Sequence, residues 1–138
     1  LGSPMYTYET EIIEFALEGN IPLLSSLREQ LKTVSVTGRL NLGSIIRTEL
    51  KSEQSCSADN GLGVISDLFV EFETLNSPVA PTIEIVNGQL ARLVLVSCAD
   101  EVIPETPKIK RLYYVTYDVS GELIETNQRN MKYAIRQT

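Results

Sequence analysis

Histidine and tryptophan are absent from all 138 residues, and cysteine occurs only twice. Without an imidazole the chain lacks the usual general base and the commonest transition-metal ligand. A Ser-His-Asp or Cys-His centre is therefore excluded within it. Cys56 and Cys98 cannot build a structural zinc site unaided. No secretory signal accompanies them, so they read as reduced thiols and not as a bridge. Cys98 closes an apolar run and is expected to be a buried small hydrophobe. Cys56 lies in a polar stretch with nothing beside it to lower its pKa. No apolar run approaches the roughly 20 residues that cross a bilayer, and Glu9, Glu11 and Glu14 interrupt any leader at the start. A soluble cytoplasmic protein is the expectation.

Basic charge is scarce as well. Lys and Arg number 12 against 18 Asp and Glu, for a net charge of −6 and a pI near 4.7. Non-specific nucleic-acid binding runs on cations facing phosphate, so this balance argues against it. The imbalance is uneven along the chain. Residues 1–105 carry 15 acids and 6 bases, and residues 106–138 carry 3 acids and 6 bases. An acidic body can steer a basic partner toward itself.

What is present is ordinary single-domain material, 43% hydrophobic and 22% charged. A chain of this length buries roughly two-thirds of its unfolded surface. Leu1-Gly2-Ser3-Pro4 reads as the remnant of a cleaved tag, which leaves one α+β domain over residues 5–138.

The most telling stretch runs from Thr82 to Ser97, two β-rich arms joined by Asn87-Gly88. Asn-Gly accepts the positive φ angles of a type I′ turn, whose twist matches the flanking strands. The second arm is apolar at nearly every position: Leu90, Ala91, Leu93, Val94, Leu95 and Val96. Such a strand is expected to be covered on both faces, by helices on one side and other protein on the other.

Upstream, Ile12, Ile13, Ala16 and Leu17 form one stripe of a helix over Thr7 to Glu18, with acids early where they suit its positive end. Gly19-Asn20 ends it. Asn20 is a candidate N-cap for a second helix, with Pro22 in the first turn. There Leu23, Leu24, Leu27 and Leu31 recur at helical spacing, and Arg28, Glu29, Gln30 and Lys32 are expected mostly in water.

Strands follow: Val34 to Leu40, Ser44 to Leu50, Val64 to Glu73 with clean alternation, the hairpin, and an aromatic strand from Ile109 to Tyr117. Ser120-Gly121 turns the last of these into Glu122 to Thr126. The final dozen residues alternate at Met131, Tyr133 and Ile135 and lean to strand. Helices first and hairpin-linked strands after give α+β, two short N-terminal helices on a mainly antiparallel sheet. No βαβ rhythm supports a doubly wound nucleotide fold.

Chemistry has little to work with. Glu71 and Glu73 sit two apart on one strand and so share a face, with Asp67 extending the row. Two carboxylates so placed could do acid/base work, but a row of exposed acids better suits a basic protein partner. Asp59-Asn60-Gly61 lacks the other acids of a calcium loop, and Gly61-Leu62-Gly63 leads into a strand, not a helix. Tyr113, Tyr114 and Tyr117 beside Lys110 and Arg111 are the one basic-aromatic interleave. Core or interface packing explains them better than base stacking.

Ile21-Pro22-Leu23-Leu24-Ser25-Ser26-Leu27-Arg28-Glu29-Gln30-Leu31, followed by Val36, Arg39 and Gly43, resembles the opening of a group of small bacterial proteins without assigned function. Asp67 to Glu71 and the apolar strand after a tight turn are similar to that group's sheet, so the resemblance covers about residues 20–97. The chain departs from the pattern at Leu42 and Ile45, where the group has Thr and a second Gly, and lacks its acidic-aromatic ending. The resemblance implies no catalytic residues. Small acidic α+β domains without catalytic apparatus are similar in type to bacterial immunity proteins, which bind and neutralise a toxin domain.

The expected function is therefore toxin neutralisation by occlusion, with a structural or regulatory interaction module, homodimeric through a sheet face, as the alternative. Candidate partner contacts are Asp67, Glu71, Glu73 and Glu84, with Tyr113 and Tyr117 as anchors. A basic protein is the expected partner. No enzyme activity, catalytic residue, metal, cofactor, nucleic acid or membrane is expected.

Overall fold

A computed structural model describes residues 2–53 and 62–137. Cys56 and the Asp59-Asn60-Gly61 stretch lie outside the described residues. Two helices, α1 (Thr7–Ala16) and α2 (Pro22–Leu31), precede the strands β1 (Ser35–Asn41), β2 (Ile45–Lys51), β3 (Gly63–Ile65), β4 (Leu68–Phe72), β5 (Val79–Val86), β6 (Gln89–Ser97), β7 (Ile109–Tyr117), β8 (Leu123–Thr126) and β9 (Arg136–Gln137). Every pairing is antiparallel, in the order β1, β2, β6, β5, β4, β7, β8. β3 pairs with the far half of β5 and with β9. The α+β architecture read from the sequence is the one observed. No helix among the described residues is long and apolar enough to cross a membrane.

The Asn87-Gly88 hairpin forms as expected, with φ of 54° and 73°. Both helices lie on one face of the sheet. Ile12, Ile13, Ala16 and Leu17 from α1 and Leu24 and Leu27 from α2 meet Ile46, Leu68, Val70, Phe72, Ile83, Leu93 and Leu95 in one buried cluster. Phe15 stacks on Tyr114 with ring centres 4.0 Å apart, and the Tyr114 hydroxyl donates to the Phe15 carbonyl at 2.6 Å.

Three polar clamps fix that arrangement. The Glu9 carboxylate, fully buried, accepts from four donors: Tyr6 N–H at 2.8 Å, Arg39 Nε and Nη2 at 3.1 and 2.6 Å, and Thr48 Oγ1 at 3.0 Å. It caps α1 and ties it to β1 and β2. The Glu9 hydrogen bond holds the Arg39 guanidinium above its ordinary pKa, so it stays charged. Gln30, read from the sequence as mostly solvated, is instead buried. Its amide donates to Gly88 O at 2.8 Å and accepts from Leu90 N–H at 3.0 Å, which docks α2 on the hairpin. At the C-terminus of α1, Arg28 donates to Leu17 O and Gly19 O, and Arg129 donates to Glu18 O. Two guanidinia thus meet the negative end of the helix dipole.

Other boundaries moved. α1 stops two residues early, where those arginines take its carbonyls. Ile21, not Asn20, is the N-cap of α2, and Pro22 supplies the fixed φ of the first turn. The final residues are neither one strand nor one helix: a 3₁₀ turn, Met131–Tyr133, leads into the short β9. Ser3 pairs with Val36 through two 2.7 Å backbone hydrogen bonds along the outer edge of β1.

Breaking a buried, hydrogen-bonded ion pair by deleting one partner costs about 3–5 kcal/mol. Glu9→Ala is expected to lose at least the lower part of that range in urea unfolding. A loss under 1 kcal/mol, roughly that of an exposed pair, would show that the clamp does not hold α1 in place.

Candidate functional site

The sheet face away from the helices is where the sequence expectation and the structure part company most. β6 is covered on one side only by the described residues. Leu93 and Leu95 are buried, Val94 is half-buried, and Val96 remains 38% exposed. Register then lines up its neighbours. Ile45 pairs with Val96, Val96 with Ala80, and Phe69 with Tyr113; Val70 pairs with Val79, which sets Ala80 beside Phe69. With Leu42 at the β1–β2 turn, an apolar stripe crosses the open face from β2 to β7.

Charged rows flank the stripe. On one side Arg92 binds Glu49 at 2.6 Å and also Glu84, and Arg47 reaches Glu49 at 3.5 Å. On the other, Arg111 takes Glu125 through two 2.8 Å hydrogen bonds and Glu71 at 3.2 Å, with its guanidinium 4.1 Å over the Tyr113 ring. Each row joins side chains on adjacent strands, as cross-strand pairing requires. Phe69 meets Tyr113 edge to face at 5.9 Å.

Beyond Tyr113 the face dips into a cleft of about 100 Å³, lined in part by Phe69, Val115, Tyr117, Leu123, Tyr133 and Arg136. Small-molecule pockets run to roughly 300–1,000 Å³, so this cleft falls below that range and has room for no more than a side chain. A larger groove of about 430 Å³ lies against the helices. Glu14, Glu18 and Lys32 line it and are exposed, so it holds no desolvated acid. Among the described residues no three His, Cys, Asp or Glu stand together as metal ligands.

The residues anticipated as contacts fall into different places. Glu71, Glu84, Tyr113 and Tyr117 are on the open face, Tyr117 exposed and edge-on to Tyr133 at 5.5 Å. Glu73 lies just past the end of β4 and is exposed. Asp67 does not belong to the row at all. The alternation expected to run unbroken from Val64 to Glu73 slips between Asp67 and Leu68, both buried, because β3 and β4 follow different partners. Asp67 therefore turns inward, where Arg129 binds it at 2.9 and 2.7 Å. The acidic row is not free charge either, since Glu71 and Glu84 each share an arginine with a second carboxylate. Cys98, expected to be buried, is exposed, although partial desolvation pushes its thiol pKa up.

Sequence reasoning missed Leu42, Ile45, Ala80, Phe69 and the open sides of Val94 and Val96. Apolar residues at consecutive positions of β6 and around Phe69 were the signal. Reading them as covered on both sides hid it.

Comparison with protein-family models, with curated proteins and with solved structures finds no match to this chain. What the face can do is therefore read from its own geometry: present an apolar band between ion-paired charge rows, with one slot the size of a side chain.

The rows also set an acid limit. Arg92 holds the Glu49 carboxyl below its ordinary value of 4.5, Arg111 does the same to Glu125, and Ser77 with the Asn76 N–H does so to Glu101. A carboxyl depressed in the folded state stabilises folding above its ordinary value, and that contribution is lost as pH falls through the depressed one. The melting temperature should stay level near neutrality and drop as pH falls below about 4.5. Glu49→Gln with Glu125→Gln should flatten that slope. An acid slope identical to the parent's would mean the rows contribute nothing to it.

Proposed function

We propose that this protein is a non-enzymatic, cytoplasmic binding protein that docks on a cognate bacterial toxin domain and occludes it. The observation that carries the reading is the apolar stripe left open across a sheet whose other face is filled by two helices. Contiguous exposed apolar surface rimmed by charge is characteristic of an interaction site. Tyr113 and Tyr117 supply aromatic contact area of the kind that dominates interface energetics. Glu71 and Glu84, fixed by their arginines, supply oriented acceptors at the margin. Asp67 is left out of the contact set because its carboxylate is taken internally.

The toxin half of the reading draws on the net charge of −6, which suits a basic partner, and on the want of a catalytic set in the sequence. Its test is genetic and biophysical. The reading frame beside this gene would be expressed alone and together with it, and complex formation measured by native mass spectrometry. The expectation is toxicity alone, rescue on co-expression, and a complex that Val96→Arg abolishes while Glu14→Arg, on the helix side, leaves it intact. An innocuous neighbour that forms no complex would remove the toxin reading.

A second reading, a structural or regulatory module that pairs with itself, is favoured by one feature. Among the described residues β8 is an edge strand with no strand beyond it, and Leu123 and Ile124 are both exposed; such an edge is a template for pairing. Light scattering decides it: a stable dimer dispersed by Ile124→Pro would support self-association, and a monomer at every concentration would end it.

A further inference from the structure

One corner of the open face carries a different charge balance from the rest. The turn between β1 and β2 meets the loop between β6 and β7 there. Ile103 N–H donates to Gly43 O at 2.9 Å, and the Ile103 side chain is buried. The neighbouring Val102 points outward, 70% exposed, at van der Waals distance from where a methyl group on Gly43 would stand. Leu42, 60% exposed, precedes Gly43 and closes the apolar stripe at this end.

The loop that holds Val102 out is built, not loose. Glu101 N–H donates to Ser97 Oγ at 2.9 Å, and the Glu101 carboxylate accepts from Asn76 N–H and Ser77 N–H at 3.1 and 2.8 Å. An exposed apolar side chain on a pre-ordered backbone loses little entropy when a partner covers it.

Charge separates this corner from the middle of the face. In the rows beside the stripe every carboxylate is ion-paired to an arginine. Asp100 and Glu101, which lead into Val102, form no ion pair among the described residues, and Lys108 is the one cation in their loop. Glu73, just past β4, is likewise without an ion pair and meets that loop where its N–H donates to Lys108 O at 2.9 Å, whereas Glu105 lies on the helix side with Tyr8 and Arg39. Acids on α1, Glu11 and Glu14, are exposed as well, but they have no comparably exposed apolar pair beside them.

We propose that Leu42 and Val102 form the anchor of the docking face, gripping a partner segment that presents apolar side chains between Lys or Arg residues. This rests on the open face being the docking surface. Apolar burial would supply the affinity there, and the unpaired acids the approach and orientation.

Fluorescence anisotropy tests it with labelled peptides of about ten residues that alternate Leu with Lys, or Leu with Glu. The Lys peptide should bind the parent protein and the Glu peptide should not. Leu42→Ser with Val102→Ser should weaken the Lys peptide about ten-fold or more. Glu73→Gln with Asp100→Asn should weaken it less and flatten its dependence on salt. Circular dichroism confirms folding, since all four positions are exposed. If Leu42→Ser with Val102→Ser binds like the parent while Val96→Ser with Tyr113→Ser loses binding, the anchor is wrong and the docking face stands. If neither pair of substitutions matters, or no Lys peptide binds, the anchor and the face both fall. Equal binding of the Glu peptide would overturn the choice of a basic partner.

Discussion

A buried carboxylate decides which side of this sheet is inside. Glu9 reaches from the first turn of α1 to Arg39 on β1 and Thr48 on β2, with no lone-pair direction left to water. An isolated carboxylate in that position would be untenable. With four donors converging on it, the position becomes a lock: α1 can lie on this face in one register, since sliding it would strand a charge on each partner. Gln30 does the same for α2 at the hairpin, with neutral groups and so at lower stakes. Asp67 and Arg129 complete the set by drawing the C-terminal segment against the end of α1. Both helices are thereby committed to one face, and the opposite face is left to other uses.

That opposite face has to remain compatible with water while keeping apolar residues on it. The charged rows resolve the conflict. Arg92 and Arg111 each sit between two carboxylates on strands to either side, which orders the side chains across the sheet, with Arg111 lying over the Tyr113 ring at the end of the stripe. Exposed pairs of this kind contribute little stability individually, about 0–1 kcal/mol. Their larger effect is negative: a face ruled by fixed charges of both signs does not stack on an arbitrary neighbour. A partner must meet Leu42, Ile45, Val96, Ala80, Phe69 and Tyr113 between those rows, which is a geometric demand and not only a hydrophobic one.

Much of this was legible from local sequence. Hairpin, helix pair, strand order in the chain and the α+β class all follow from periodicity and turn chemistry, because each depends on residues within a few positions of one another. Long-range polar pairing did not follow. Nothing near Glu9 in sequence announces Arg39 or Thr48, and Gln30 looks like any surface residue of an amphipathic helix until Gly88 and Leu90 arrive beside it. The slip between Asp67 and Leu68 was equally hidden, since alternation alone cannot say that one strand becomes two with different partners. It moved a carboxylate from the surface to the interior, and with it one member of the anticipated contact row. Apolar runs on both sides of β6 were visible. Whether the second side was core or surface depended on how many helices the chain had to cover it, and two are enough for one face only.

The same count bears on what kind of association the face can support. Two copies meeting face to face would bring together two bodies of net charge −6. The rows on the sheet hold three arginines against four glutamates, so most of that charge sits elsewhere, part of it on the outer side of α1 and on the loop that follows β6. At physiological salt, fields decay over about 8 Å. Asp100 and Glu101 stand beside the exposed Val102 at the rim of the face, whereas the acids of α1 lie on the helix side of the sheet. A second copy would meet like charge at the rim at the moment of contact. A cationic surface would meet attraction there and then a flat apolar band whose own charges are already satisfied. Electrostatics and register thus select the same class of partner by different routes, one acting at a distance and the other in contact.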